Sequence, residues 1–495
     1  MSPAPNSTDV CDINNNDKID KAHLENRCGV NIERIKSTLA KTSNLFGWLV
    51  RQQTVLGTTV ISLPNLYTVE NGRFVRSSNQ YPREVIYLPS EEIYLTVYVR
   101  FNDGGTEYMG EATGQVLSDE QSVLDELIQS LIVNARSLQN KPYSLPSSSQ
   151  QYKTDILLAD PKILTSTKPQ LLDLVSEFNS TILKTTNNKE SVDVSNIELF
   201  IKKHHNALDT STGINVEFDS TRADAELCFI ARLSDGRVAE ATARPHARRI
   251  QDLRPQELVQ TYSDYARKSA RAAGPPKYKG PVIVSEEALA NMLSLDTSPL
   301  LFHAGTRNVF DKMSRYEQGK LVTDDAEIKG ERITIISDPH IPFGSNSHVF
   351  STIDGSPSRP VTVVQDSNYA ELIGTRRYYE YLGLLDKGIK VSGPLGNTYI
   401  PQGKKSSNEL LGSDKIVVVK MFSDWSVNPI NGDFACEIRL GETRENGVVT
   451  PFKGGLLIGN YFKMLADITL ASERFQFDNY FGPAGARFGM LEIAG

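Results

Sequence analysis

Histidine is the residue type in this sequence best suited to chemistry, because an imidazole can bind a metal ion or move a proton near neutral pH. Three of the seven histidines, His303, His340 and His348, follow one another in a turn-rich stretch. Together they could form a metal site, but their spacing matches no common ligand pattern, so simple hydrogen-bonding roles are the favoured alternative. The pair His204-His205 is predicted to lie on the solvated face of a polar helix.

Other residue groups each have a plainer interpretation. The run 12–20 resembles a calcium loop, but Asp17 and His23 stand where an EF-hand needs glycine and a carboxylate, so we expect a solvated arm. Cys436 lies within a strand pattern and is predicted to be a buried small hydrophobe. The basic cluster 244–249 could contact an acidic peptide or a partner, although an exposed loop is the favoured interpretation. Walker, dinucleotide-binding and serine-elbow motifs are absent from the sequence.

Composition is typical of a soluble globular protein. The 495 residues contain 53 Lys+Arg and 60 Asp+Glu, which gives a net charge of −7, and this argues against a nucleic-acid binder. The apolar stretches are far shorter than the ~20 residues of a membrane helix, and the first residues lack the pattern of a secretory signal. Since the four cysteines are widely scattered, we expect a reduced, cytoplasmic protein.

The elements that must position these residues include a repeated unit in the N-terminal half. Apolar spacing predicts a helix over 31–49, and strands at 54–62, 94–100 and 108–113 precede a helix over 119–136. The order strand, turn, strand, helix recurs at 226–232, 238–242 and 255–273, and both second strands contain Glu-Ala-Thr. We interpret this as a duplicated strand-hairpin-helix unit. Two further helices, 170–184 and 196–208, are predicted between the copies.

The C-terminal half is predicted to be β-rich. Strand patterns recur at 282–285, 332–337, 360–366, 415–421, 434–440, 448–450 and 456–459. The sequence therefore indicates an α+β protein with a polar N-terminal arm at 1–30, an α+β domain at 31–278 with the internal duplication, and a β-rich domain at 279–495 with an antiparallel, sandwich-like sheet.

Several motifs in this half resemble those of the TldD/PmbA family, known as "modulator of DNA gyrase" proteins. They comprise Asp424-Trp-Ser-Val-Asn428-Pro429, Asn446-Gly447, Ile458-Gly459-Asn460, Ile336-Ser-Asp338-Pro339 and Asp354-Gly355-Ser-Pro357, in the family's order. The resemblance implies a cytoplasmic two-domain protein that pairs with a relative. In such a pair, a TldD-type subunit holds zinc, a TldE/PmbA-type subunit does not, and peptides are cleaved between them.

The family's zinc motif is degenerate here. The TldD-type motif is His-Glu-x-x-x-His, completed by a cysteine near the C-terminus. His303 matches the first ligand, but Ala304 replaces the general base, Asn308 replaces the second histidine, and 479–483 contains no cysteine. The resemblance therefore implies a zinc-less TldE/PmbA-like subunit that binds no cofactor itself, with zinc expected only in its partner.

The expected role is to shape a peptide cleft in a homodimer or in a heterodimer with a zinc-bearing relative, with no nucleic-acid or membrane partner. Substrate-binding candidates are Arg307, His340, His348, Asn428 and Asn460. The loop between Pro339 and Pro357 could border the cleft or be a mere surface connection. The alternative is a diverged enzyme that acts on a peptide or small natural-product precursor through a non-standard site around His303.

Overall fold

The structure is a computed structural model. It describes residues 30–62, 67–70, 73–76, 83–187, 189, 191–323, 327–412 and 415–495. The predicted N-terminal arm, except Val30, and with it the calcium-like run, lies outside the described residues.

An antiparallel sheet forms the centre of the N-terminal half. Its strands are β1 (Gly47–Ser62), β4 (Arg83–Asp103), β5 (Thr106–Gln115), β6 (Val192–Thr210), β7 (Asn215–Arg232), β8 (Val238–Ala243) and β9 (His246–Ala247). They lie in the order β5-β4-β1-β6-β7-β8, with β9 paired to β7. A separate short hairpin is formed by β2 (Tyr67–Glu70) and β3 (Arg73–Arg76).

The duplication is confirmed and extends further than the sequence indicated. Each half of the sheet is a three-stranded meander followed by a helix: β1-β4-β5 precedes α2 (Gln121–Arg136), and β6-β7-β8 precedes α5 (Pro255–Arg271). β1 and β6 pair antiparallel at the centre, so the two copies lie side by side in one sheet. The other helices of this half are α1 (Ile32–Lys41), α3 (Pro161–Thr165) and α4 (Lys168–Asn187).

Two helix predictions in this half were wrong. The segment 196–208 belongs to strand β6, where Ile197, Leu199 and Ile201 are buried at every second position between β1 and β7. The helix predicted over 31–49 ends at Lys41, and β1 begins at Gly47. Apolar residues after position 41 recur at a spacing that fits either period, and pairing with β4 and β6 selects the strand.

The helices cover one face of this sheet. α2 packs on β4 and β5, with Leu124 and Ile128 against Leu95 and Val97, and α5 packs on β7 and β8 in the same way. The opposite face contacts the C-terminal half, because Leu49, Leu208 and Val216 share a buried cluster with Val349 and Phe350. That face is where residues from both halves meet.

The C-terminal half contains a sheet that closes on itself. β10 (Tyr278–Ser285), β15 (Ile416–Phe422), β16 (Asp433–Glu445), β18 (Leu456–Asn460) and β22 (Gly485–Ala494) pair in that order, and β22 pairs back to β10. The β10–β15 pair is parallel and the others are antiparallel. β17 (Val448–Phe452) pairs with β16, and β19 (Ile468–Leu470) pairs with β22.

A six-stranded sheet packs beside this barrel. Its order is β13-β12-β11-β14-β21-β20, from β11 (Ile335–Asp338), β12 (Val361–Gln365), β13 (Asn368–Tyr369), β14 (Asn397–Tyr399), β20 (Arg474–Phe477) and β21 (Tyr480–Pro483). Short helices connect the strands: α6 (Glu287–Leu293), α7 (Pro299–Ala304), α8 (Thr306–Phe310), α9 (Arg376–Tyr381), α10 (Ser407–Leu411) and α11 (Tyr461–Met464). The α+β class and the β-rich C-terminal half are thus confirmed.

The strands of the N-terminal sheet end at Ala247 and those of the C-terminal sheets begin at Tyr278. Because buried clusters cross this division, the exact boundary at 278/279 stays a prediction. No helix in the described part of the chain is both long and apolar enough to cross a membrane.

Candidate functional site

His303 stands where the TldD-type motif has its first zinc ligand, near the end of the short helix α7. Its side chain is buried between Phe302 and Phe462. Nδ1 accepts a hydrogen bond from the backbone N–H of Arg315 (3.1 Å), and Nε2 lies 3.2 Å from the Ile430 carbonyl oxygen, to which it must donate. These contacts define a neutral imidazole with both nitrogens in use, and burial lowers the pKa of His303 to about 4.

The other motif positions do not add ligands. Ala304 is buried, and the Asn308 amide nitrogen donates to the Phe302 carbonyl (2.8 Å). Arg307, predicted to bind substrate, is largely exposed and faces Asp311, the residue that follows α8, at 3.6 Å. Among the described residues, no group of three histidine, cysteine or acidic side chains is arranged to hold a metal ion.

Two candidate asparagines organise the turn that faces His303. Asn428 accepts hydrogen bonds from the backbone N–H groups of Ile430 and Asn431 (2.9 and 3.2 Å). Asn460 donates to the Asn431 carbonyl (2.8 Å) and caps the N-terminus of α11. Gly432 completes the turn with a φ of +78°, where an added Cβ would lie 2.6 Å from Phe462. The structure thus gives both asparagines a role in placing the carbonyl that His303 meets.

His340 and His348 lie close together but in a separate place. The His340 Nε2 atom is 3.2 Å from the Ser358 hydroxyl, which in turn donates to the His348 carbonyl (2.6 Å). His303 contacts a different set of residues, namely Phe302, Arg315, Ile430 and Phe462. Cys436 is buried in β16, where its thiol donates to the Ser426 carbonyl (3.2 Å) and burial raises its pKa.

A cavity of about 370 Å³, here called the sheet cleft, lies between the N-terminal sheet and the C-terminal half. Its floor consists of alternate residues on three neighbouring strands: Arg51 and Gln53 on β1, His204 and Asn206 on β6, and Phe218, Ser220 and Arg222 on β7. Because successive strand residues point to opposite faces, these side chains share one face of the sheet. His204 therefore lies in the cleft, whereas its neighbour His205 pairs with Asp219 on the other face.

The wall of the sheet cleft is the loop that the sequence marked as a functional candidate. Residues 345–348, Phe350 and Thr352 line it, joined by Pro394 and Leu395. Phe350 packs edge-to-face on Phe218 with ring centroids 5.4 Å apart, which fixes the loop to the floor.

Arg248 holds this loop in place. Its guanidinium donates to the carbonyls of Gly344 (2.7 Å), Ser345 (3.1 Å) and Ser347 (2.5 Å). Burial, with a further contribution from Arg222, lowers the pKa of Arg248 to about 10. The interpretation of the cluster 244–249 as an exposed loop was therefore wrong for Arg248, which is partly buried and connects the two halves of the chain through its hydrogen bonds to the loop.

A second cavity of about 420 Å³, here called the edge groove, lies between α5 and β20. β20 is the last strand of its sheet among the described residues, and Phe475, Gln476 and Phe477 line the groove. At its base, the Tyr262 hydroxyl donates to Glu287 (2.7 Å) and the Tyr265 hydroxyl donates to Glu286. Burial raises the pKa of Glu287.

Sequence reasoning missed the floor of the sheet cleft because it placed 196–208 in a helix. The signal was present: Ile197, Leu199 and Ile201 occupy every second position, which is the strand period, although the apolar Phe200 between the last two obscures it. In such a strand, His204 and Asn206 lie together on the face opposite Ile197, Leu199 and Ile201.

Comparison with known proteins agrees with the motifs of the C-terminal half. Residues 277–495 match the profile of the PmbA/TldA metallopeptidase C-terminal domain. This match, together with the motifs, supports membership of the TldD/PmbA family. An uncharacterized protein of Methanocaldococcus jannaschii is 26% identical over 262 residues, which are 52% of this chain and 59% of that protein. The chain thus matches a little over half the length of this curated relative.

Three solved structures share the fold along nearly the whole chain. TldE from Thermococcus kodakarensis has a TM-score of 0.72 at 16% identity, covering 93% of this chain and 100% of its own. A candidate DNA gyrase modulator from Thermotoga maritima has a TM-score of 0.69 at 19% identity, covering 94% and 100%. Another from Bacteroides thetaiotaomicron has a TM-score of 0.72 at 16% identity, covering 94% and 97%. At these identities the likeness concerns the fold alone.

Proposed function

We propose that this chain is the non-zinc, TldE/PmbA-like subunit of a cytoplasmic peptide-processing metallopeptidase complex, in which a TldD-type partner supplies the catalytic zinc. The observation that carries the proposal is the state of His303. Both of its ring nitrogens are engaged within the chain, by the Arg315 N–H and the Ile430 carbonyl. A histidine ligand must present a free ring nitrogen to the ion.

The residues around His303 support the same role. A zinc hydrolase needs a general base beside the metal-bound water, and position 304 carries an alanine methyl instead. The amide of Asn308 is turned to the Phe302 carbonyl. The alternative of an enzyme acting through His303 would require this ring to leave two hydrogen bonds and a buried aromatic site, so we do not favour it.

The edge groove supports a role in holding peptide. An extended peptide can add to a free strand edge through backbone hydrogen bonds, which accept any sequence, while neighbouring pockets add mild side-chain preference. β20 offers such an edge, and its half-buried Phe475 and Phe477 stack with centroids 6.3 Å apart beside it. The groove lies next to 479–483, the region that matches the family's cysteine-bearing segment.

The test is reconstitution with a relative that carries an intact His-Glu-x-x-x-His motif. We expect this chain alone to carry substoichiometric zinc and to leave unfolded peptides intact. We expect the co-purified pair to carry one zinc, to cleave peptides, and to show a light-scattering mass near the sum of the two chains. Phe477→Ala should reduce cleavage by the pair, whereas Val133→Ala, an exposed residue of α2 outside both cavities, should not.

Three results would refute this function. One zinc per chain in the isolated protein, lost in His303→Ala, would make this chain a metal carrier. A light-scattering mass near 55 kDa at micromolar concentration, with and without the relative, would show that the chain stays a monomer and forms no complex. Full peptide cleavage by the zinc-bearing relative alone would leave this chain without the proposed role.

A further inference from the structure

One end of the sheet cleft concentrates positive charge in a protein whose net charge is −7. Arg222 and Arg248 line that end, and Lys202 lies directly opposite Arg222 in the β6–β7 register. Like charges directly across an antiparallel pair repel each other, so this arrangement carries a cost for the folded protein. Among the described residues that line the cleft there is no aspartate or glutamate.

These cations are poorly neutralised by the protein. Lys202 and Arg248 form no ion pair with any described residue, and Arg248 is surrounded by carbonyl oxygens instead. Arg222 has one carboxylate partner, Asp224 at 2.6 Å, which also accepts from His246 (2.8 Å). Three cations therefore face a single carboxylate that is already shared.

His348 supplies an independent observation at the same end. Its Nδ1 atom donates to the Asn346 carbonyl (2.8 Å), whereas Nε2 is shielded from solvent and has no hydrogen-bond partner in the described structure. Because Nδ1 carries the proton, Nε2 is an acceptor without a partner, which costs free energy, and an O–H or N–H donor next to the oxyanion of a ligand, such as a protonated phosphate oxygen or a peptide N–H, would remove that cost. His204, across the cleft floor, is surrounded by Lys202, Arg222 and Arg248, and burial together with these cations lowers its pKa to about 4.

We propose that this end of the sheet cleft binds the oxyanion group of a ligand, a carboxylate or a phosphate, beside Arg222 and Lys202. Arginine matches the two oxygens of such a group with a pair of N–H donors, and lysine adds a mobile charge. Arg248 contributes its charge rather than hydrogen bonds, because the loop carbonyls occupy its donors. The cavity of about 370 Å³ is large enough for a small molecule or the end of a peptide. The proposal does not depend on the subunit role inferred above.

The same cleft offers a matched internal control. Arg51 lies level with Leu208 on β6 and so with Val216 on β7, six residues from Arg222. At about 3.3 Å per residue, the two arginines are about 20 Å apart along the strands. Arg51 contacts the Tyr94 ring at 4.6 Å and should not reach an oxyanion at the other end. Arg244, exposed and paired with Glu226 (3.0 Å), controls for the same change of charge outside the cleft.

The experiment is calorimetric titration of the purified protein with inorganic phosphate, trialanine as the free acid, and trialanine amide. We expect phosphate or the free acid to bind, to weaken as salt increases, and to lose about tenfold in affinity in Arg222→Gln and in Lys202→Gln. Arg51→Gln and Arg244→Gln should bind as the parent does. Circular dichroism verifies that each variant is folded.

The three ligands separate the sources of the oxyanion. Binding of the free acid but not the amide identifies a peptide carboxylate, and binding of phosphate alone identifies a phosphorylated ligand. Absence of binding by all three, equal affinity for acid and amide, or unchanged affinity in both Arg222→Gln and Lys202→Gln would overturn the proposal.

Discussion

Replacing Arg248 should loosen the loop that walls the sheet cleft. The guanidinium donates to three carbonyls of that loop at 2.5–3.1 Å, and no described carboxylate pairs with it. Arg248→Gln would leave carbonyls of Gly344, Ser345 and Ser347 without their donor. Hydrogen bonds from a charged donor contribute about 1.5–3 kcal/mol each. Removing the guanidinium also removes the free-energy cost of desolvating its charge, which offsets much of the loss of these hydrogen bonds. We therefore expect the free energy of opening the loop to fall by about 3 kcal/mol.

Native-state hydrogen exchange measures this loss where it occurs. The amides of Ser347 and His348 donate to the carbonyls of Gly344 and Pro339 within the loop, so their protection reports its opening. A loss of about 3 kcal/mol corresponds to exchange about 100-fold faster at these amides. Amides of α2, on the other face of the sheet, should be unaffected in the same sample.

Arg244→Gln is the matched control, because it removes the same charge from the same segment at an exposed ion pair. Such pairs contribute about 0–1 kcal/mol, so its loop amides should exchange at nearly the parental rate. Less than a threefold change in Arg248→Gln, or equal changes in the two variants, would refute the assignment of Arg248 as the residue that holds the loop.

Three further predictions concern buried groups. Glu442→Gln should lower the free energy of unfolding in chemical denaturation by about 3 kcal/mol, because the buried carboxylate binds Lys268 (2.6 Å) and Arg444 (2.7 Å). These two cations lower the pKa of Glu442 although burial opposes them, so the carboxylate stabilises the fold near neutral pH and this contribution is lost as the pH falls below the ordinary pKa of a glutamate. The parent protein should lose about 2 kcal/mol of stability between pH 7.5 and pH 5 through His303, because the imidazole binds a proton below about pH 6.5 in the unfolded chain and only near pH 4 in the folded chain. His303→Gln should remove this part of the pH dependence, and an unchanged pH profile would contradict the buried neutral imidazole. Gly432→Ala should lower the melting temperature, since φ is +78° and the new Cβ would lie 2.6 Å from Phe462, whereas Gly236→Ala, also at positive φ but with open space around it, isolates the cost of the backbone alone.

Local patterns in the sequence determined much of the fold. The hairpin turns, the amphipathic helices α2 and α5 and the strands of the C-terminal half follow from periodicity and turn residues, which act over a few neighbouring residues. The family motifs also carried the interpretation of 303–308, because the absence of a second histidine and of the general base is a property of residue type alone.

Tertiary pairing decided what local patterns left ambiguous. The segment 196–208 has apolar residues that fit a helix or a strand, and its place between β1 and β7 makes it the central strand β6. The closed barrel depends on β22 meeting β10, about two hundred residues away in the chain. The strands β19–β22 were missed for a related reason, since short strands that gain their stability from distant partners carry a weak local signal.

The sheet cleft shows the same division most clearly. The sequence identified His348, the loop around Gly344 and the basic cluster that contains Arg248 as separate features. Only the folded chain brings them against Lys202, His204 and Arg222, because the face on which a strand residue lies depends on register with its neighbours. The positive charge of the sheet cleft is the sum of side chains that are distant in sequence. The residue types therefore determined which chemistry is available, and tertiary packing decided where those side chains come together.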